Sequence, residues 1–120
     1  GPWPPAAGSW DVVLNCTPVG TYPCVDDRVV PEMLLDGRLA YDLVYNPPHT
    51  AFLKAARAAG CDVIGGLDML VAQAEQQFEW WTGRRASREM MGRAATHGLA
   101  AFRTGLAVNE QPSESEIETR

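Results

Sequence analysis

Short apolar runs alternate with segments of helical periodicity along this chain. The runs at 11–17, 38–45 and 61–64 have the length and the β-branched content of buried strands. Glycine or proline follows each of them within a few residues. Apolar positions recur at helical spacing at 51–59, 66–81 and 88–102, which predicts three helices. This alternation predicts an α/β fold with a short parallel sheet and crossover helices.

Residues with capping chemistry locate the ends of the predicted helices. Thr50 and Ser87 can each accept a hydrogen bond from the first turn of a following helix. Gly60 and Gly83 are suited to the left-handed conformation in which many helices end. A further short helical turn is expected at 29–35, closing at the Asp-Gly pair that follows it.

The helix predicted at 66–81 has two distinct faces. Its apolar stripe is expected to dock on a core and contains Leu67, Leu70, Val71, Ala74, Phe78 and Trp81. Met69, Gln73 and Gln76 share another face, at positions i, i+4 and i+7, that is polar without being charged. Those amides either contact a ligand or form an exposed stripe without function. The last helix is expected to turn Met90, Met91, Ala94, Ala95, Gly98 and Phe102 inward.

Composition excludes several classes of protein. The 120 residues, 46% of them apolar, suffice for one domain, and no run approaches the ~20 apolar residues of a membrane span. A net charge of −5 argues against nucleic-acid binding. Three cysteines without CxxC spacing and the lack of a secretory signal predict reduced thiols in a cytoplasmic protein. Residues 1–10 form an irregular lead-in, and residues 104–120 are predicted to be a flexible acidic tail.

Familiar catalytic motifs are absent from the sequence. Neither GxGxxG nor GxxxxGK[ST] is present, so these residues contain no standard phosphate-binding turn. His49 and His97 have no cysteine or carboxylate at ligand spacing, and no metal site is predicted. Cys16 has no histidine near it, so a small buried filler is favoured over a nucleophile.

Candidate chemistry lies where the predicted strands end. Ligands of open α/β sheets bind outside the carboxyl ends of the strands, and three such ends converge at 15–20, 42–46 and 65–66. Near them Tyr45 offers a hydroxyl, Met69 a polarisable thioether and Gln73 an amide. Taken singly, Tyr45 and Met69 are better explained as packing groups, and Gln73 as part of an exposed stripe. Their convergence favours a ligand site.

Four segments, in order and spacing, resemble motifs of the shikimate dehydrogenase family. They are DVVLNCTPVG at 11–20, YDLVYNP at 41–47, GLDMLVAQ at 66–73 and FEWWTG at 78–83. The resemblance implies that residues 11–103 are the second half of a Rossmann-like NADP-binding domain with its closing helices. It also implies an oxidoreductase that interconverts 3-dehydroshikimate and shikimate in aromatic amino acid biosynthesis.

The resemblance also implies roles for individual residues. Thr17, Leu43, Gly66 and Met69 would border the cofactor NADP, and Tyr45 and Gln73 would contact the substrate, with Gln76 a weaker candidate. The family's catalytic lysine and aspartate, its substrate-binding serines and its glycine-rich turn belong to a region preceding Asp11. No catalytic residue is therefore expected in this chain. It is expected to be inactive without that N-terminal region, and the complete protein is a candidate homodimer.

Three residues depart from the family motifs. Cys16 stands in place of alanine, Thr21 in place of methionine and Asp68 in place of glycine. A carboxylate in the first turn of a helix is favoured by ~0.3–1 kcal/mol, but near a dinucleotide its charge would weaken binding. Two alternatives stay open. One is a quinate or shikimate dehydrogenase, and the other is a non-catalytic half-Rossmann module that dimerises or docks through the sheet edge beside the strand at 11–17.

Overall fold

The computed structural model describes residues 4–30 and 34–105. Within them the elements are β1 (Val12–Asn15), β2 (Leu39–Asp42), α1 (Ala51–Ala58), β3 (Asp62–Ile64), α2 (Gly66–Thr82) and α3 (Arg88–Thr104). The strands form a parallel sheet in the order β1-β2-β3. The predicted α/β class is confirmed.

The first two strands are shorter than the sequence predicts, because a side chain diverts the backbone at the end of each. The Asn15 side chain accepts a hydrogen bond from the Thr17 amide at 3.0 Å. Asp42 accepts one from the Val44 amide at 2.9 Å. Since an amide bonded to a side chain two residues back is withdrawn from the ladder, β1 ends at Asn15 and β2 ends at Asp42.

The predicted helix caps are confirmed. Thr50 accepts a hydrogen bond from the Leu53 amide at 3.2 Å, and Ser87 accepts one from the Met90 amide at 3.3 Å. Gly83 ends α2 at φ 66°, a left-handed value that carries a steric cost for any residue with a Cβ. The helical turn expected at 29–35 includes residues 31–33, which lie outside the described residues. Most of the predicted acidic tail, at 106–120, also lies outside them.

One face of the sheet is covered and the other is open in the described part of the chain. Val13, Ala40 and Val63 are aligned across the three strands and face the core. That core also contains Val30, Leu35, Phe52, Leu53, Ala55, Ala56 and Cys61. On the other face Val12 and Leu14 are each 50% exposed, and Ile64 is 37% exposed. A parallel sheet is normally covered on both faces, so β1 and β3 present apolar surface that these residues do not bury.

The apolar stripes of α2 and α3 are only partly buried. In α2 Val71 is buried, but Phe78 is 36% and Trp81 76% exposed, so the expectation that the whole stripe docks on a core is wrong. Residues 76–82 are all exposed, and α2 packs beside α3, to which the Glu75 and Arg88 side chains also link it at 3.6 Å.

The inner face expected for α3 is correct at three positions and wrong at three. Met91, Ala95 and Gly98 are half-buried, whereas Met90, Ala94 and Phe102 are exposed. A helix that packs against a single neighbouring helix buries a narrow stripe, which leaves the flanking apolar positions in solvent. No helix among residues 4–30 and 34–105 has the length and apolar character that a membrane span requires.

Candidate active site

A buried pair of polar side chains joins the carboxyl ends of β1 and β2. Asn15 and Asp42 are aligned in the parallel register and are 1% and 0% exposed. The Asn15 side-chain amide donates to Asp42 Oδ1 at 3.0 Å. A buried amide and a buried carboxylate are both costly without partners, so this hydrogen bond fixes the relative position of the two strand ends.

Asp42 also connects the strand ends to the following helix. Its Oδ1 accepts from Asn15 and from the Val44 amide, and its Oδ2 accepts from the Thr50 hydroxyl at 2.5 Å. Thr50 is fully buried, and its oxygen in turn caps α1. One carboxylate therefore holds the end of β1, the turn after β2 and the start of α1.

Asn15 shapes the loop that leaves β1. Its Oδ1 accepts from the Thr17 amide at 3.0 Å and from the Thr17 hydroxyl at 2.7 Å, and its amide nitrogen donates to the Val19 carbonyl at 3.1 Å. Thr17 Oγ1 then accepts from the Val19 amide at 3.2 Å. These four bonds hold the loop across the carboxyl edge of the sheet.

A cavity of about 480 Å³ lies at this edge. Thr17, Leu43 and Tyr45, three of the six predicted site residues, line it together. The other lining residues are Cys16, Pro18, Thr21, Tyr22, Val44, Asn46 and Phe102. The cavity combines apolar walls with hydroxyl groups, which suits an organic ligand.

Gly66, the first residue of α2, lies against the backbone after β2. A Cβ added to it would collide with the Leu43 carbonyl group and would lie 2.6 Å from the Val44 carbonyl oxygen. Gly66 is buried, Met69 is half-buried and Gln73 is exposed. At about 1.5 Å of rise per residue, Gln73 lies about 10 Å along α2 from Gly66. Met69 and Gln73 do not line the 480 Å³ cavity, and Gln76 is exposed further along the helix.

Several residues of this region were not assigned a role from the sequence. Asn15 and Asp42 form its buried hydrogen-bond network together with Thr50, which the sequence predicted only as a helix cap. The only signal for Asn15 and Asp42 is a polar residue near the end of each apolar run. Phe102 reaches the cavity from α3 and meets Tyr22 edge-on, with ring centroids 6.4 Å apart. Asn46 also lines the cavity, and its Oδ1 is buried without a hydrogen-bond partner.

The cysteines differ in their environments. All three are free, Cys16 and Cys24 are exposed and Cys61 is buried. The expectation that Cys16 is a buried filler is wrong, because the backbone turns outward directly after Asn15. Burial raises the pKa of the Cys61 thiol, and the Asp36 and Asp62 carboxylates raise it further. No group of histidine, cysteine and carboxylate side chains suited to a metal ion occurs in the described residues.

Asp68 belongs to a different cavity. With Lys54 and Arg57 it lines a space of about 440 Å³ between α1 and α2. Its carboxylate therefore does not line the cavity of Thr17 and Leu43.

The three parallel strands, with helices between them and a cavity at their carboxyl edge, define half of a Rossmann-like domain. The profile described as "Shikimate 5'-dehydrogenase C-terminal domain" matches residues 66–95. The shikimate dehydrogenase (NADP(+)) of Moorella thermoacetica is 44% identical over 98 residues, which are 81% of this chain and 33% of that protein. The chain belongs to the shikimate dehydrogenase family and corresponds to its C-terminal part.

Solved structures agree in fold. The shikimate 5-dehydrogenase of Thermus thermophilus, in complex with NADP(H) and shikimate, is 36% identical with a TM-score of 0.65, over 72% of this chain and 33% of that one. Quinate dehydrogenase of Corynebacterium glutamicum, in complex with NAD, is 33% identical with a TM-score of 0.65, over 71% of this chain and 30% of that one. The chain thus spans about a third of the length of the relatives that it matches.

Proposed function

We propose that this chain is part of an NADP-dependent shikimate dehydrogenase, which interconverts 3-dehydroshikimate and shikimate. The observation that carries the proposal is the contact of Gly66 with the Leu43 and Val44 backbone. It brings the start of α2 against the strand-end segment that lines the cavity of Thr17 and Tyr45. Relatives whose names include NADP(+) and a structure with both NADP(H) and shikimate support the assignment.

The residues of the cavity fit the nicotinamide end of a dinucleotide. Leu43, which lines the cavity, supplies an apolar surface for a flat ring. We assign Thr17, Leu43, Gly66 and Met69 to the cofactor side. Among the described residues no glycine-rich turn is present for the phosphates, and that part of the site would come from the preceding region.

The substrate side is assigned to Tyr45 and Gln73. Tyr45 is 44% exposed and Gln73 is exposed, so both polar groups are accessible to a ligand that approaches the open side of α2. A Gln amide both donates and accepts, which suits neighbouring hydroxyl groups of a polyol acid. Alanine at either position would leave a substrate hydroxyl without its partner.

NADP, when bound, supplies a hydride acceptor at the nicotinamide ring. In the oxidation of shikimate, bound NADP would accept the hydride of the carbinol carbon and a base would accept the hydroxyl proton, so atoms and charge balance. This chain contributes the wall that orients the ring and the groups that hold the substrate. In this proposal the acid and base that move the proton lie in the region preceding Asp11.

The direct test is an assay of the complete protein that follows NADPH formation with shikimate, run beside the 120-residue chain alone. We expect turnover by the complete protein and none by the short chain. Parallel reactions with quinate and with NAD test the alternative that the 33% identity to quinate dehydrogenase supports. Absence of turnover with every pairing of acid and cofactor would rule out the proposed function.

A non-catalytic module is the second candidate, favoured by the open edge of β1. In the described residues β1 pairs with β2 alone, and Val12 and Leu14 are half-exposed. Such a module would dimerise through that edge, and its mass in solution would be twice that of the chain. In the enzyme, the same edge would pair with the preceding half of the domain. The enzyme proposal, in contrast, includes three further properties of the complete protein. They are a cytoplasmic location, a role in aromatic amino acid biosynthesis and a homodimeric state.

A further inference from the structure

The Asp42 carboxylate lies at the junction of two groups of hydrogen bonds. In one group, Asn15 donates to Asp42 and is also hydrogen-bonded to Thr17 and Val19, and Asp42 accepts from the Val44 amide. It ends at the cavity. The other runs through the Thr50 hydroxyl to the Leu53 amide and ends in the buried first turn of α1. We call these groups the cavity branch and the helix branch.

We propose that Asp42 and Asn15 are positioning residues for cofactor binding, which set the two backbone segments that flank the nicotinamide. This inference rests on the proposed function. Asp42 and Asn15 act on the cofactor only through the backbone segments that they hold in place. The cavity branch holds Thr17 on one side, and on the other side it fixes the turn of Leu43 and Val44 on which Gly66 rests.

The hydrogen-bond chemistry of the network explains why these two residues are required together. Asp42 receives three donors, namely the Asn15 amide, the Val44 amide and the Thr50 hydroxyl. Asn15 must donate to Asp42 and to Val19 while its oxygen accepts from Thr17, and a primary amide can do all three. Serine can still accept from the Thr17 amide but is too short to reach Asp42, so Asn15→Ser cuts the link between the strands.

The helix branch provides the matched control. Thr50→Val keeps the shape of the side chain, removes the hydroxyl from Asp42 Oδ2 and uncaps Leu53, yet leaves every bond of the cavity branch in place. Thr50→Ser keeps the hydroxyl and should behave as the parent protein. Both cuts leave buried polar atoms unpaired, so both should lower stability. Only Asn15→Ser should change the geometry of the cavity.

The experiment uses the complete protein and measures the Kd of NADPH from its nicotinamide fluorescence, with resistance to urea measured in parallel. We expect Asn15→Ser to raise this Kd by about tenfold or more, and Thr50→Val to change it by less than about twofold at a comparable loss of stability. Equal weakening by the two variants, or an unchanged Kd in Asn15→Ser, overturns the proposal. If the parent protein binds NADPH and oxidises shikimate, and Asn15→Ser has the same Kd, only the positioning role is contradicted. If the parent protein neither binds NADPH nor oxidises shikimate, the proposed function is contradicted as well.

Amide hydrogen exchange of the parent protein provides a second measurement that needs no variant to fold. Added NADPH should slow exchange at Thr17 and Val44, whose amides the cavity branch holds, by a larger factor than at Leu53, whose amide Thr50 caps. Equal protection at the three amides, or protection at Leu53 alone, contradicts the proposal.

Discussion

Gly66 and Val44 approach so closely that there is no room for a side chain between them. A Cβ on Gly66 would lie 2.6 Å from the Val44 carbonyl oxygen. The contact places the N-terminus of α2 on the turn that follows β2. Since α2 carries the proposed ligand contacts Met69 and Gln73, the spacing between this helix and the sheet edge determines where those side chains lie.

Gly66→Ala should therefore disturb both stability and ligand binding. The new methyl group must push α2 away from Leu43 and Val44, at a cost of about 1–3 kcal/mol. Urea unfolding of the complete protein measures that loss, and NADPH titration should show a raised Kd.

Gly65→Ala provides the control for this change. Gly65 has extended φ of −94°, and a Cβ there would meet its nearest atoms at 3.5 and 3.7 Å, which is ordinary contact. That variant should keep the Kd of the parent and lose less than about 1 kcal/mol, from the helix N-cap position. Equal behaviour of the two alanine variants would show that the close approach does not position the helix.

Gln73→Ala should impair the reaction without affecting folding. Gln73 is exposed on α2, so its truncation opens no cavity in the core. In the complete enzyme an unpaired substrate hydroxyl costs on the order of 1–3 kcal/mol, and we expect kcat/KM for shikimate to fall by about tenfold or more. Steady-state kinetics measures this change.

The control for Gln73 is Gln77→Ala, an exposed glutamine one turn further along the same helix. It should retain the parent kcat/KM, and the two variants should have matching unfolding midpoints. An unaltered kcat/KM in Gln73→Ala would remove Gln73 from the site.

The helices, strands and caps could be predicted because they depend on residues that are close in the sequence. Contacts that depend on tertiary packing could not be predicted. The Thr50 and Ser87 caps act on amides three residues away, so the sequence determines them. Parallel strand ends share one edge, so the proximity of Leu43 and Gly66 could also be expected. The hydrogen bond from the Thr50 hydroxyl to Asp42 could not be predicted, because it depends on how α1 packs against the sheet. The buried stripe of α3 was misplaced because its partner is one helix and not a core.

Gly92→Ala should stabilise the protein. Gly92 lies inside α3, and a Cβ there would have no neighbour within 4 Å. Alanine therefore adds helix propensity without a clash, and the free energy of unfolding should rise by about 0.5–1 kcal/mol.

Gly83→Ala is the contrasting variant, because Gly83 has φ 66° at the end of α2. There the Cβ should cost about 1–2 kcal/mol. Thermal unfolding of both variants measures the two effects, and a change of the same sign in both would contradict this explanation.

Ionisation of Cys61 should make stability fall at alkaline pH. Its thiol is buried and donates to the Gly37 carbonyl at 3.1 Å, and burial with the Asp36 and Asp62 charges raises its pKa above the ordinary 9.0. The folded protein therefore keeps the thiol proton at a pH at which the unfolded chain has lost it. This contribution is complete below the unfolded pKa and is lost as pH rises through the folded one.

The Cys61→Ala variant separates this effect from all other titrations. It lacks the thiol, so the difference in free energy of unfolding between parent and variant should shrink as pH rises above about 9, by at most about 1.4 kcal/mol per pH unit. Urea unfolding at several alkaline pH values measures that difference. Cys16 and Cys24 are exposed and are present in both proteins, so their ionisation cancels in the comparison. A difference that stays constant with pH would mean that the Cys61 thiol ionises equally in the folded and unfolded states.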